Sequence, residues 1–495
     1  MSAPAEISTS GPDTPTGVGA RLDGLAWSRR HTAILLALGA GWLFDSFEVQ
    51  LFSNAIGPLG DTFDASVTAR DGVLGVWLGG ILVGAVVGGR LSDRFGRRRL
   101  FVVTLLWYAA FTVLTGLSPD LAAVYVLRFA AALGVGAEYS IVNAAIAEFI
   151  PARVRGKANA AVMAFWPAGA IAAAVFAYAL LNWAAISAQT SWRAMFVLGG
   201  LIALVVLAFR RRIPESPRWL VVQGRSAEAD RIVADLEDAC GPGRGSGADA
   251  GVSGAPAAAA VSTGTSPLPL GAALRELVTE YPGRLALGAG LDLAEAFGYY
   301  GLFALLSVVV LPEVHISQAR VPLFYIVGNV GALAGGLLVS TRLDRWGRTV
   351  TVAGTYAASA VGVGLLAWAT ASGSAAWVTV AFVIANGFAT AAWVSAYPTF
   401  TELFPTHLRG VGVGASVAVG RVGAIVGTLA LPSLATAVGA TASYLLVVAF
   451  WLLGVGAVLA HRRLGGQEAA RRPLEALSTT RGRTPRRAGA AGSAA

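Results

Sequence analysis

Apolar and polar positions in this chain do not alternate; they come in blocks. Runs of about twenty or more residues, built from Ala, Leu, Val, Ile, Phe and Gly, are separated by short stretches where Arg, Asp and Pro collect. A helix of that length crosses a bilayer core of about 30 Å. Twelve such spans can be placed, near 32–56, 72–92, 99–118, 121–148, 157–182 and 192–211, then 284–311, 320–341, 349–370, 374–402, 409–431 and 438–461. The predicted fold class is an all-α membrane protein. Its expected parts are a tail over 1–31, a six-helix half over 32–211, a linker over 212–283, a second six-helix half over 284–461 and a basic tail over 462–495. From Gly241 to Ser266 the linker is almost all Gly, Ala, Ser, Pro and Val, the composition of a disordered connector. The Arg-rich tail is expected to be disordered too. The stretches 226–239 and 270–280 are expected as short amphipathic helices on the membrane surface.

Composition supports the spans. Of 495 residues, 55% are hydrophobic and 13% charged, against about 25% charged in soluble chains, and the mean hydropathy is +0.65. A net charge of +9 could suit a nucleic-acid partner. The Arg residues instead sit in clusters between apolar runs, as in cytoplasmic loops, so no nucleic acid is expected. Arg94, Arg97, Arg98, Arg99, Arg153, Arg155, Lys157, Arg342, Arg345, Arg348 and Arg409 fall in one set of loops. The opposite set holds little beyond Arg70, Arg193 and Arg320. Both termini are therefore expected in the cytoplasm, and the chain in the plasma or inner membrane. Residues 1–26 are polar, no cleaved leader is expected, and the first apolar run should remain as span 1. The single cysteine, Cys240, excludes an internal disulfide framework. No phosphate-binding loop, metal-ligand cluster or nucleophile with its base is present, so neither an enzyme nor a cofactor or metal is expected. Abundant Ala, Gly and Arg beside a single Lys suggest a GC-rich bacterial genome.

The chain also repeats itself. Gly89-Arg90-Leu91-Ser92-Asp93-Arg94-Phe95-Gly96-Arg97-Arg98 recurs as Thr341-Arg342-Leu343-Asp344-Arg345-Trp346-Gly347-Arg348, an offset of 251 from Asp93 to Asp344. Glu148-Phe149-Ile150-Pro151-Ala152-Arg153-Val154-Arg155-Gly156 recurs as Glu402-Leu403-Phe404-Pro405-Thr406-His407-Leu408-Arg409-Gly410, an offset of 254. Two unrelated phrases at one offset mean a duplicated half, the construction of many secondary transporters. In these loops Asp93 can pair with Arg94 or Arg97 and with a helix N-terminus, and Gly96 and Gly347 permit tight turns. Glu148 with Arg155, and Glu402 with Arg409, are expected to pair across helix ends. Such networks exist only while those ends are together, so they would hold an outward-open state and break on inward opening.

These loops resemble the signature of the major facilitator superfamily between helices 2 and 3, repeated between helices 8 and 9. Pro214-Glu215-Ser216-Pro217-Arg218-Trp219-Leu220 is similar to the signature after helix 6 of its sugar-porter branch. Gly134-Val135-Gly136-Ala137-Glu138-Tyr139 with Glu148 and Arg155 resembles bacterial metabolite:proton symporters and their niacin and organic-ion relatives. The resemblance implies two pseudo-symmetric six-helix halves, alternating access and a gating role for Glu215 and Arg218 beside the loop residues.

Charges inside spans carry sharper information, because a buried ionised group costs at least about 2.5 kcal/mol. Asp45 and Glu48 lie three apart in span 1, and Asp292 and Glu295 repeat that spacing in span 7. The family resemblance implies a pair between Glu48 and Arg128 of span 4. Protonating a carboxylate frees its cation and couples proton binding to conformation, so Glu48 is the first expected proton site, Asp45 the second and Arg128 the switchable partner. Glu138, deeper in span 4, is a candidate substrate-binding residue together with Asp292 and Glu295. Arg421, mid-span in helix 11, needs a carboxylate or an anionic ligand. Phe47, Trp166, Phe297, Tyr299, Tyr300, Trp393 and Tyr397 are the aromatics expected near the centre. Sugar porters carry a Gln-Gln pair in helix 7, where this chain has Asp292-Leu293-Ala294-Glu295-Ala296-Phe297-Gly298-Tyr299-Tyr300, which speaks against a sugar. The expected function is proton-coupled uptake of a small organic or aromatic acid, whose carboxylate Arg128 or Arg421 could receive, by a monomer in the bilayer. Efflux of drugs or organic cations is the alternative, with a sugar porter or a non-transporting receptor behind it.

Overall fold

A computed structural model describes residues 17–181, 187–211, 213–240, 268–316, 321–474 and 477. Among them are twelve long helices and no strand. They are α1 (Arg29–Thr62), α2 (Val67–Phe95), α3 (Arg97–Gly116), α4 (Leu121–Phe149), α5 (Arg155–Met163, continued by Phe165–Leu181) and α6 (Ala188–Arg210) in the first half. The second half has α7 (Pro282–Leu305), α8 (Val321–Trp346), α9 (Arg348–Ala371), α10 (Ala375–Leu403), α11 (Arg409–Val438) and α12 (Ala440–Arg463). Eleven of the described helices are long and apolar enough to cross a membrane. The exception, α7, is less apolar because Asp292 and Glu295 interrupt it, yet it packs along α11 and α12 inside the second half. The sequence places it as the repeat of α1.

Helix ends follow local chemistry. Ser66, Asp120 and Ser374 accept hydrogen bonds from the third amide beyond them, as N-caps do. Gly96 and Gly347 sit at φ +92° and +84°, where a side chain is strained, and let α2 turn into α3 and α8 into α9. Within the halves, α2 crosses α4 and α8 crosses α10 at small residues. A β-carbon on Gly84 would lie 2.2 Å from the Leu133 carbonyl oxygen, and one on Gly335 would lie 2.0 Å from that of Gly387. Such faces permit backbone approach without a hydrophobic force between helices.

The halves meet chiefly where α2 packs on α11 and α5 on α8. One end of the molecule, the linker end, carries the linker helices, the helix Val18–Gly24 and the segment that follows α12. There the helix Val18–Gly24 docks on the helix Ser226–Asp238, with Arg21 bridging Asp230 (2.8 Å) and Glu237 (2.7 Å). The two helices expected from the linker thus occur, at Ser226–Asp238 and Leu270–Glu280, but the first lies against protein rather than free on a membrane surface. The middle of the linker falls outside the described residues. The tail expected to be disordered from residue 462 is instead packed as far as Leu474. Ala469 and Leu474 are buried, and Glu468 binds the start of α9.

Candidate transport site and gate

At the linker end the repeated loops build a two-fold set of caps. Asp93, at the end of α2, accepts hydrogen bonds from the Gly410 and Val411 amides (3.3 and 3.2 Å) that open α11 of the other half. Asp344 does the same at α5, accepting from the Gly156 and Lys157 amides (3.1 and 2.6 Å). Each carboxylate meets a helix N-terminus, where the dipole and unpaired amides favour negative charge. Each also pairs with the Arg four residues on, Arg97 at 3.0 Å and Arg348 at 2.9 Å. Those guanidiniums reach Glu148 (2.8 Å) and Glu402 (2.9 Å). A third layer repeats too: Glu215 accepts from the Arg97 amide and Glu468 from the Arg348 amide, both at 2.8 Å. The halves approach closely at Gly89, where a β-carbon would lie 2.2 Å from the Gly410 carbonyl oxygen, and at Gly414, where one would lie 2.2 Å from that of Ala85.

The expected pairs Glu148–Arg155 and Glu402–Arg409 do not form. Glu148 takes Arg409 of the other half (3.1 Å) as well as Arg97, while Arg155 takes Asp23 (3.1 Å). Asp23 also receives the Ala152 amide (2.9 Å) and Arg218 (3.0 Å). Phrases adjacent in sequence thus exchange partners, because the helix ends of opposite halves are nearer in space. Arg94 and Arg345 are exposed and stand outside this network.

Deeper in the first half lie three carboxylates and two guanidiniums, all buried. Glu48 pairs directly with Arg128 and accepts a hydrogen bond from Thr112 (3.0 Å). Phe52 and Phe196 cover the Arg128 guanidinium. One helical turn away, Asp45 accepts from the Tyr108 hydroxyl (2.6 Å) and lies 4.0 Å from Arg210. Arg210 is committed to Glu138 at 2.6 Å and donates to the Phe101 carbonyl (3.1 Å); Thr104 also donates to Glu138. Glu138 is therefore a structural partner of Arg210 here and does not line the central cavity. Arg210 itself was hidden in the sequence by Arg211 and Arg212, which make it look like one more loop charge.

Between the halves an aromatic cage encloses a cavity of about 20 Å³, lined by Tyr139, Trp166, Glu295, Tyr299, Tyr300, Thr390, Trp393 and Arg421. Trp42 stacks on Trp393 at 5.8 Å across the halves, and Trp166 meets Trp393 edge-on at 5.5 Å. Tyr397 flanks Trp393 and Tyr139. The Arg421 guanidinium sits over the rings of Tyr139 and Tyr300, 5.1 Å from each centroid. It donates to the Tyr300 hydroxyl (3.0 Å) and approaches Asp292 at 3.8 Å. Trp42 and Thr390 were not singled out in the sequence, because nothing in their spacing separates them from packing residues. Phe47 and Phe297, expected near the centre, pack inside their own halves against Phe176 and Phe450. No cluster of three or more metal-binding side chains occurs among the described residues.

Two duplicated helical halves, an aromatic cavity between them and a charged seal at one end define a secondary transporter of the major facilitator type. A family model described as "Sugar (and other) transporter" matches residues 58–461, and the chain belongs to that family. It is 25% identical to the niacin transporter NiaP of Acinetobacter baylyi, across 92% of this chain and 98% of that protein. It is likewise 25% identical to the cis,cis-muconate transport protein of the same organism, across 84% and 89%. Among solved structures it superposes on the proton:xylose symporter XylE bound to 6-bromo-6-deoxy-D-glucose with a TM-score of 0.71 at 20% identity, covering 90% of this chain and 98% of that one. The inward-open form of XylE from E. coli gives 0.61. The chain is thus a multi-pass membrane transporter of small metabolites and not an enzyme.

Proposed function

We propose that this transporter imports a small organic acid, aromatic or otherwise unsaturated, together with a proton, by alternating access. Positive loops at the linker end support a cytoplasmic placement for that end and for both termini. The interlocked caps there then correspond to a carrier closed to the cytoplasm. Arg421, backed by Tyr139 and Tyr300, is the cation that would receive the substrate carboxylate, and the surrounding rings would hold its flat body. The relatives named for niacin and cis,cis-muconate, both small unsaturated acids, support the same class.

One observation carries the proton: the first half buries three carboxylates against two guanidiniums. One negative charge is left over, and an uncompensated buried charge is neutralised by a proton at low cost. Glu48 is the first choice on sequence. The geometry favours Asp45, which is 4.0 Å from a guanidinium that Glu138 already holds at 2.6 Å. Protonation of Asp45 would loosen α1 from Tyr108 and Arg210, and α1 carries Trp42 to the cage. A membrane potential adds about 2.3 kcal/mol per charge per 100 mV to inward proton movement.

The test is purified protein in liposomes with external pH dye and a panel of aromatic and unsaturated acids. Substrate-dependent alkalinisation outside, lost in Asp45→Asn, is the expected result. Proton movement of opposite sign with organic cations would replace this reading with efflux. That second reading has one observation in its favour, the unpartnered Glu295 in the cavity.

A further inference from the structure

The central cavity holds more than a receptor for a carboxylate. Glu295 of α7 lines it together with the aromatic side chains, is 4% exposed, and keeps one carboxylate oxygen buried with no hydrogen-bond partner. Arg421 lines the same cavity, and its nearest carboxylate, Asp292, stands 3.8 Å away without a hydrogen bond between them. Two acids therefore share one guanidinium, and Glu295 is the acid that reaches the ligand space without a cation of its own. A buried, unpartnered acceptor is costly, and a ligand that supplies a positive charge removes that cost.

We infer that the cavity takes an aromatic zwitterion, with its carboxylate on Arg421 and its cationic nitrogen on Glu295. This rests on the organic-acid reading above and narrows it. Trp166 and Trp393 meet edge-on at 5.5 Å beside a cavity of about 20 Å³, so a flat ring enters only as these side chains part; seated there it would separate the two charges, and its positive face would gain from the surrounding π clouds. A simple aromatic anion satisfies Arg421 but leaves Glu295 bare; a simple cation satisfies Glu295 but competes with no carboxylate at Arg421. Only a ligand carrying both charges completes both residues.

The test measures affinity on the full chain in detergent by calorimetry, with three probes of similar shape: benzoate, N-methylpyridinium-3-carboxylate and N-methylpyridinium. The wild type is expected to bind the zwitterion at least about tenfold more tightly than either of the others, the scale of one charge-assisted contact. Glu295→Gln should erase the preference over benzoate, because it weakens binding of the zwitterion and, by removing a negative charge beside the bound anion, strengthens binding of benzoate; cooperative thermal unfolding shows that the variant is folded. Arg421→Gln should erase the preference over N-methylpyridinium. Equal wild-type affinity for zwitterion and benzoate, or a preference that survives Glu295→Gln, overturns the inference while the organic-acid reading stands. No binding of benzoate or zwitterion to the wild type overturns that reading and this inference together. Tightest binding of N-methylpyridinium overturns both in favour of cation transport.

Discussion

Asp45 and Glu48 sit one turn apart on α1, yet their surroundings separate their roles. Glu48 is locked on Arg128, so Glu48→Gln leaves a buried guanidinium without its counter-charge, which typically costs about 3–5 kcal/mol. A clear drop in thermal unfolding temperature in detergent is the expected outcome. Asp45→Asn removes a charge that Arg210 hardly compensates, and its unfolding temperature should match or exceed that of the wild type. It should still exchange substrate across liposomes of equal pH while failing to accumulate it. Arg421→Lys loses the fork that reaches both Tyr300 and Asp292, and carboxylate affinity should fall about tenfold or more in a binding titration. The Asp45 and Arg421 sites were legible as unusual charges inside apolar runs. Arg210 was not, because three consecutive Arg residues at a span end look the same whether they face lipid headgroups or a buried acid.

At the scale of helices, the seal is a set of N-terminal caps exchanged between halves. Asp93→Asn should weaken protection of the Gly410 and Val411 amides, and Asp344→Asn that of the Gly156 and Lys157 amides, in hydrogen exchange at the linker end. Unchanged exchange would show that these caps do not hold the ends together. Glu468 offers a pH handle outside the spans. Burial raises its carboxyl, but hydrogen bonds from the Arg348 and Thr349 amides and the Thr349 hydroxyl outweigh this and leave it below its ordinary 4.5. A depressed folded value stabilises the docked tail above about pH 4.5, and the gain is lost as pH falls through the lowered value. Proteolysis of the segment 464–474 should therefore accelerate only in that acidic window. The repeats announced Asp93, Asp344 and their turns in the sequence. They did not announce that Glu148 bridges to Arg409 or that Glu468 matches Glu215, since neither choice of partner follows from spacing along one phrase. The packed segment after α12 was also unreadable, its Gly and Arg content being that of a solvated tail.

For the whole molecule, block hydropathy and one repeated offset carried the architecture, because a bilayer leaves few ways to bury twelve apolar helices. The α7 helix is the instructive exception: of the two acids that lower its hydropathy, Glu295 lines the cavity and Asp292 lies beside Arg421. Each half holds one more central acid than it can neutralise, but at different members of the repeated pair, Asp45 in the first and Glu295, the counterpart of Glu48, in the second, so the halves can differ in using them. In this account the first takes a proton and the second the ligand. The most direct measurement is uptake of a labelled aromatic acid into liposomes under an inward proton gradient, with and without a protonophore. Accumulation above the external concentration that collapses with protonophore is the predicted result. Uptake that only equilibrates, or that is indifferent to the protonophore, would contradict proton-coupled import.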